Sequence, residues 1–239
     1  MSTDFSGKVV LVIGGTGGLG RSVSLTFLQR GATVAATWRR QEEFDALRNA
    51  AGNAADRLAG FSTDVTDAGG AADLVSQILS RFDHLDVLVN TVGGYAGGIP
   101  LWQLAPDVFE RMLDLNLRAA YALARAVAPA MISRKSGAIV NVGAKAVWDH
   151  AAGASAYAAS KAAAVALMDS LAADLIGTGV RVNSVLPSII DTEANRRAMP
   201  DANFAKWPKP EDIANVILFL ASNESGVIHG AAIPVFGNA

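Results

Sequence analysis

Short runs of β-branched and aliphatic residues alternate along the chain with longer stretches of helical periodicity, and this alternation restricts the fold more than any single motif does. The runs lie at 9–13, 33–37, 57–62, 87–90, 138–142, 180–186 and 231–235. The helical stretches lie at 19–29, 41–50, 68–81, 106–134, 155–176 and 210–221. Strands that alternate with helices build βαβ units, and these give a parallel sheet covered on both faces. The expectation is an α/β protein with a doubly wound parallel sheet of about seven strands. Pro106 and Pro210 suit the first turn of a helix, where a missing amide donor costs nothing.

A chain of 239 residues, 51% of them hydrophobic, can bury a full core. No Pro/Gly/Ser-rich linker or charge run divides it, so residues 1–239 are read as one domain. The irregular stretches 91–105, 143–154 and 187–208 follow the carboxyl ends of strands, where open α/β sheets bind ligands. A net charge of −2, with no basic cluster larger than Arg39-Arg40 or Arg196-Arg197, gives nucleic acid no electrostatic footing. Cysteine is absent, which excludes disulfides and thiolate sites and agrees with a reducing cytosol. Three histidines without cysteine offer little for a metal, so none is expected. Residues 1–7 lack the order of a signal peptide, and no apolar run reaches the roughly 20 residues of a membrane span. These features predict a soluble, cytoplasmic protein acting on a small molecule.

The first strand runs directly into Gly14-Gly15-Thr16-Gly17-Gly18-Leu19-Gly20, where a helix opens. Glycine lets the backbone turn tightly and approach a pyrophosphate, while the helix N-terminus offers free amides and the positive end of a dipole. A dinucleotide site is expected over Gly14, Thr16, Gly17, Gly18, Leu19 and Gly20; a closely packed strand-to-helix turn would leave the same pattern. At the end of the second strand, NAD sites commonly carry an acid for the ribose 2′-hydroxyl, and an arginine instead accommodates a 2′-phosphate. Trp38 fills the acidic position and Arg39 and Arg40 follow, which points to NADP(H) unless the arginines are a solvated pair at a helix entry.

Tyr157 and Lys161 are four residues apart and share one face if residues 155–161 are helical. An ammonium beneath a phenol favours the phenolate, and is expected to bring the tyrosine down from its usual value near 10 toward the range useful for proton transfer. The pair is an acid/base device suited to a carbonyl or imine.

With these residues together, the chain resembles the short-chain dehydrogenase/reductase family over nearly its whole length. The matching points are the glycine turn, Asp64-Val65, Asn90, Asn116, Tyr157-x-x-x-Lys161 and Pro187-x-x-x-x-Thr192. The resemblance implies a Rossmann-type fold in which Asp64 and Val65 meet the adenine and Asn90, Gly93 and Pro187 belong to the cofactor cleft. It further implies that Ile190 and Thr192 hold the nicotinamide carboxamide. Lys161 would also hold the nicotinamide ribose, and Asn116 would anchor a proton relay to Tyr157. A homo-oligomer, dimer or tetramer, is implied as well, and the small face of Ala156, Ala159, Ala163 and Ala166 would serve either such an interface or the core.

One departure is informative. The family usually places a serine thirteen residues before the tyrosine, and this chain has Ala144 there. Losing one such preorganised donor costs on the order of a hundredfold in rate. Dihydropteridine reductases, a branch of the same family, look similar at Gly143-Ala144-Lys145-Ala146, at Gly93-Gly94-Tyr95-Ala96-Gly97-Gly98 and at Asp191-Thr192-x-x-Asn195-Arg196. That resemblance implies a flat, electron-poor ring as substrate, with Tyr95 stacked on it and Lys145 orienting it. Tyr95, Trp102 and Trp148 fit pocket walls, and fit lid packing or an oligomer contact equally. The sequence reading is an NADPH-dependent reductase of a C=N or C=O group; the alternatives are a ketone or 3-oxoacyl reductase and a catalytically idle nucleotide sensor.

Overall fold

A computed structural model describes residues 3–67 and 69–238. Its sheet has seven parallel strands in the order β3 (Leu58–Ser62), β2 (Thr33–Trp38), β1 (Val9–Ile13), β4 (Val87–Asn90), β5 (Gly137–Val142), β6 (Val180–Pro187) and β7 (Ala231–Val235). Every expected strand is present, with ends within one residue of the sequence reading. β1 is apolar at every position because both its faces are covered. Val10 and Val12 join a core with Val23, Phe27, Ile213 and Ile217, from α1 (Gly18–Gln29) and α8 (Pro210–Ala221). Leu11 and Ile13 point the other way, into a core with Leu74, Ile78, Leu123 and Met168. These come from α3 (Gly70–Phe82), α5 (Ala119–Arg134) and α6 (Ser155–Asp174). Each such fully buried aliphatic side chain contributes about 1.5–3 kcal/mol.

The strand order reverses between β1 and β4, and a crevice opens at their carboxyl ends. Ile13 stands beside Asn90, and Thr91 donates through its amide (3.1 Å) and hydroxyl (2.6 Å) to the Ile13 carbonyl. Gly14 then turns at φ +73°, and a Cβ on Gly20 would come within 2.0 Å of the Gly14 carbonyl oxygen. Because that obstacle is backbone, Gly20→Ala is expected to destabilise the fold by about 2–4 kcal/mol. Urea unfolding would read this as a lowered midpoint; an unchanged midpoint would mean that the turn yields.

Three helical expectations change. The stretch 106–134 is not one helix: α4 (Pro106–Leu113) passes through a π-helical turn (Asp114–Arg118) into α5. The segment 187–208 is not wholly irregular, since α7 (Glu193–Ala198) forms there with Thr192 as its cap, accepting from the Asn195 amide at 3.2 Å. Six residues are too few to show a period. The stretch 155–176 ends at Asp174, ahead of Gly177 (φ +79°) and Gly179 (φ +82°). The start expected at Ala68 lies outside the described residues; α2 (Gln41–Ala51) runs one residue past its expected end.

Candidate active site

The crevice is a cleft of about 300 Å³. Of the residues expected to hold a nucleotide, Gly14, Thr16, Gly17, Gly18, Leu19, Gly20, Trp38, Arg39, Val65 and Gly93 line it. Gly17 caps α1 without any side-chain hydrogen bond, so the first amides of that helix face the cleft with no competing acceptor. Trp38 stacks on Phe44 at 6.1 Å, and its indole Nε1 is buried with no partner.

The remaining candidates stand around this cleft rather than in its lining. Asp64 accepts from the Thr66 amide (2.9 Å) and hydroxyl (2.7 Å); these bonds, with Arg39 adding attraction, hold its carboxyl below the usual range. Asn90 is buried, donating to the Asn141 side chain at 3.0 Å and accepting from the Val92 amide at 3.2 Å, so it braces the loop that follows β4. Pro187 ends β6 beside Val235. The Ile190 carbonyl accepts from Asn195 Nδ2 at 2.8 Å. The Thr192 methyl packs on Gly18, where a Cβ would come within 2.8 Å, so α7 is seated on the glycine turn. Arg40 turns aside to pair with Glu43.

Tyr157 and Lys161 occupy successive turns of α6. Lys161 is buried, its Nζ donating to the Val142 carbonyl at 2.9 Å, and burial pushes its pKa down to about 8. A Cβ on Gly93 would lie 2.8 Å from that Nζ, so the ammonium stands directly behind the wall of the cleft. Tyr157 departs from expectation. Burial, with Tyr95 close by, pushes its phenol up to about 12 rather than down. In this state Lys161 is spent on the Val142 carbonyl, and desolvation governs the phenol. Tyr157 is thus a fully protonated acid at neutral pH.

Asn116 is 2% exposed and sits in the π-helical turn. Its Oδ1 accepts from the Gly94 amide (2.9 Å), while its Nδ2 donates to the Gly94 carbonyl (3.1 Å) and to Ser160 Oγ (2.9 Å). Ser160 in turn donates to the Tyr157 carbonyl at 2.9 Å. The amide thereby ties the loop after β4 to α6 beside the Tyr157–Lys161 pair, a bracing contact that takes both Nδ2 protons.

Among the residues expected to meet a substrate, the Tyr95 ring meets Tyr157 edge-on at 5.0 Å, and Tyr95 is 70% exposed. Ala144 is buried and extended, and offers no hydroxyl. Lys145 and Trp148 both turn toward Phe236, a residue that sequence reasoning missed. Trp148 meets its ring edge-on at 6.2 Å, and Lys145 Nζ lies 5.3 Å from the ring centre and 3.9 Å from Asp149. Among the described residues no group of His, Cys, Asp or Glu gathers as a metal site, and no helix is long and apolar enough to cross a membrane.

The profile described as short chain dehydrogenase matches residues 8–203. The 3-oxoacyl-[acyl-carrier-protein] reductase FabG of Thermotoga maritima is 32% identical over 239 residues, covering 97% of each chain. The D-threitol dehydrogenase of Mycolicibacterium smegmatis is 31% identical, covering 99% of this chain and 96% of its own. Among solved structures, ElxO with NADP bound superposes with a TM-score of 0.91 at 26% identity, over 96% of this chain and 97% of that one.

Proposed function

This chain is a member of the short-chain dehydrogenase family, and from that premise we propose that it is an NADPH-dependent reductase of a C=O or C=N group. The observation that carries the reading is a protonated, half-buried phenol at Tyr157, one helical turn from an ammonium standing behind the cleft wall.

The residues present fit a dinucleotide. The uncapped amides after Gly17 would take the pyrophosphate, Arg39 the 2′-phosphate, and Asp64 with Val65 the adenine. Asn90, Gly93, Pro187, Ile190 and Thr192 would border the nicotinamide end, with Lys161 on its ribose. ElxO, a structural neighbour, carries NADP, which supports the choice of NADP(H). When bound, the reduced nicotinamide supplies the hydride. Tyr157 gives its proton to the substrate oxygen or nitrogen. Lys161 brings positive charge toward the phenolate that remains, and Asn116 holds the Gly94 backbone and α6 in register while this happens.

Two substrate readings follow from different observations. The 3-oxoacyl reductases among the relatives favour a ketone or 3-oxoacyl thioester. The missing hydroxyl at Ala144, with Tyr95 against Tyr157 and Trp148 against Phe236, favours a flat conjugated ring of the dihydropteridine kind, which needs no second donor to an oxyanion. A cytoplasmic homo-oligomer, dimer or tetramer, completes the reading.

The test follows NADPH oxidation with an acetoacetyl thioester, simple ketones and aldehydes, and quinonoid dihydropterin, with NADH in parallel. Turnover of at least one class with NADPH preferred is the expected result. Tight NADPH binding without turnover of any class would make the chain a nucleotide sensor, and a strong NADH preference would overturn the role of Arg39.

A further inference from the structure

We infer that Glu43, in the first turn of α2, sets the nucleotide preference of this protein by holding a carboxylate at the adenosine end of the cleft. The inference rests on the proposal that the cleft takes NADP(H). Sequence reasoning placed two arginines after β2 and no acid, which is a site of charge +2 awaiting a 2′-phosphate. The folded chain is different. Glu43 lines the cleft beside Trp38 and Arg39. One of its oxygens accepts from Arg40 through Nε at 3.0 Å and through Nη2; the other accepts from the Thr16 hydroxyl at 3.1 Å. A single carboxylate therefore bridges the glycine turn and the arginine pair. It neutralises Arg40, and it leaves Arg39 as the one cation of that pair facing the cleft.

The electrostatic consequence has a definite sign. A 2′-phosphate entering beside Arg39 meets a fixed negative charge, and gains from Arg40 only what Glu43 has not already taken. A 2′-hydroxyl entering at the same place meets a hydrogen-bond acceptor of the type that NAD sites usually supply from the end of the second strand. Glu43 thus penalises NADPH and assists NADH, so the wild-type preference for NADPH is smaller than two arginines would give. Thr16 fixes the placement: the hydroxyl of the glycine turn, 27 positions away in sequence, tethers the partly exposed carboxylate at the cleft.

The test is isothermal titration of NADPH and NADH into the wild-type protein and into Glu43→Gln, which keeps an acceptor for Thr16 and removes the charge. Glu43→Gln is expected to tighten NADPH by about tenfold and to leave NADH unchanged or weaker, with the NADPH gain shrinking as salt is raised. A ratio of the two affinities that stays within about twofold of wild type, or that moves toward NADH, overturns the inference. Arg39→Gln separates this from the underlying reading: it should weaken NADPH and spare NADH. Wild-type protein that binds neither nucleotide would defeat the proposed function and this inference with it, whereas normal binding with an unmoved ratio defeats this inference alone.

Discussion

Tyr157→Phe is expected to lower turnover by about 10²–10⁴-fold, the range associated with removing a positioned general acid, while NADPH affinity should stay near wild type. The size of the effect follows from what surrounds the phenol. Ala144 brings no hydroxyl to the place where the family carries a serine, so position 144 gives the phenol no help in supporting the substrate heteroatom. The nearest other phenol, Tyr95, meets Tyr157 by its ring edge and is 70% exposed, so its hydroxyl is not preorganised by burial. Phenylalanine keeps the ring contact with Tyr95 and the packing of α6, which separates loss of the proton from loss of shape. Steady-state rates with NADPH and whichever substrate class turns over provide the measurement. Turnover unchanged in this variant would remove Tyr157 from the mechanism.

Lys161→Met should be inactive and yet more stable than the wild-type protein at neutral pH. Burial takes the Lys161 pKa from 10.5 to about 8. At about 1.4 kcal/mol per unit, the folded protein carries a penalty of up to roughly 3 kcal/mol for holding that charge. The sign with pH is fixed by which state keeps the proton. Between about 8 and 10.5 the unfolded chain holds it and the folded chain releases it, so this group's contribution to stability rises with pH across that window. Tyr157 acts oppositely: the folded protein keeps a proton that the unfolded chain loses between 10 and about 12, so stability falls there. Methionine matches the length of lysine and removes the charge, at the cost of the 2.9 Å bond to the Val142 carbonyl, which is worth about 1–2 kcal/mol. A net gain of about 1–2 kcal/mol is expected near neutrality, shrinking as pH approaches 10.5. Urea unfolding at neutral pH and in the window would show it. A variant that is less stable at neutral pH, with the same pH slope as wild type, would show that the ammonium carries no desolvation penalty.

The central strands β1 and β4 were legible because both faces are buried, which writes an apolar run into the sequence, as at Val9–Ile13. The glycine turn was legible because its main constraints are local: Gly14 takes a φ of +73°, and a Cβ on Gly20 would run into the Gly14 carbonyl oxygen. What stayed hidden depends on contacts across the fold. The π-helical turn at Asp114–Arg118 exists where Asn116 reaches both the Gly94 backbone and Ser160, neither of which a helical period announces. Glu43 reads locally as the i+3 partner of Arg40; its place over Thr16 comes from the parallel pairing of β1 with β2. Phe236 reaches Trp148 and Lys145 through the pairing of β6 with β7, in which Val235 lies beside Pro187. The Tyr157–Lys161 spacing was visible, but the direction of the phenol's shift was not, because it depends on burial and on Lys161 being engaged by Val142.

The central claim is that this phenol is the proton donor of a nucleotide-dependent reaction, held protonated until positive charge arrives beside it. An ultraviolet difference titration of tyrosinate, on free protein and on its NADP⁺ complex with Tyr157→Phe as the blank, tests this without knowledge of the substrate. In the free protein Tyr157 should stay protonated until about pH 12. In the complex one tyrosinate should appear at least about two pH units lower, and should be missing from the variant. A titration that NADP⁺ leaves unmoved, or a shifted signal that survives in Tyr157→Phe, would contradict the account.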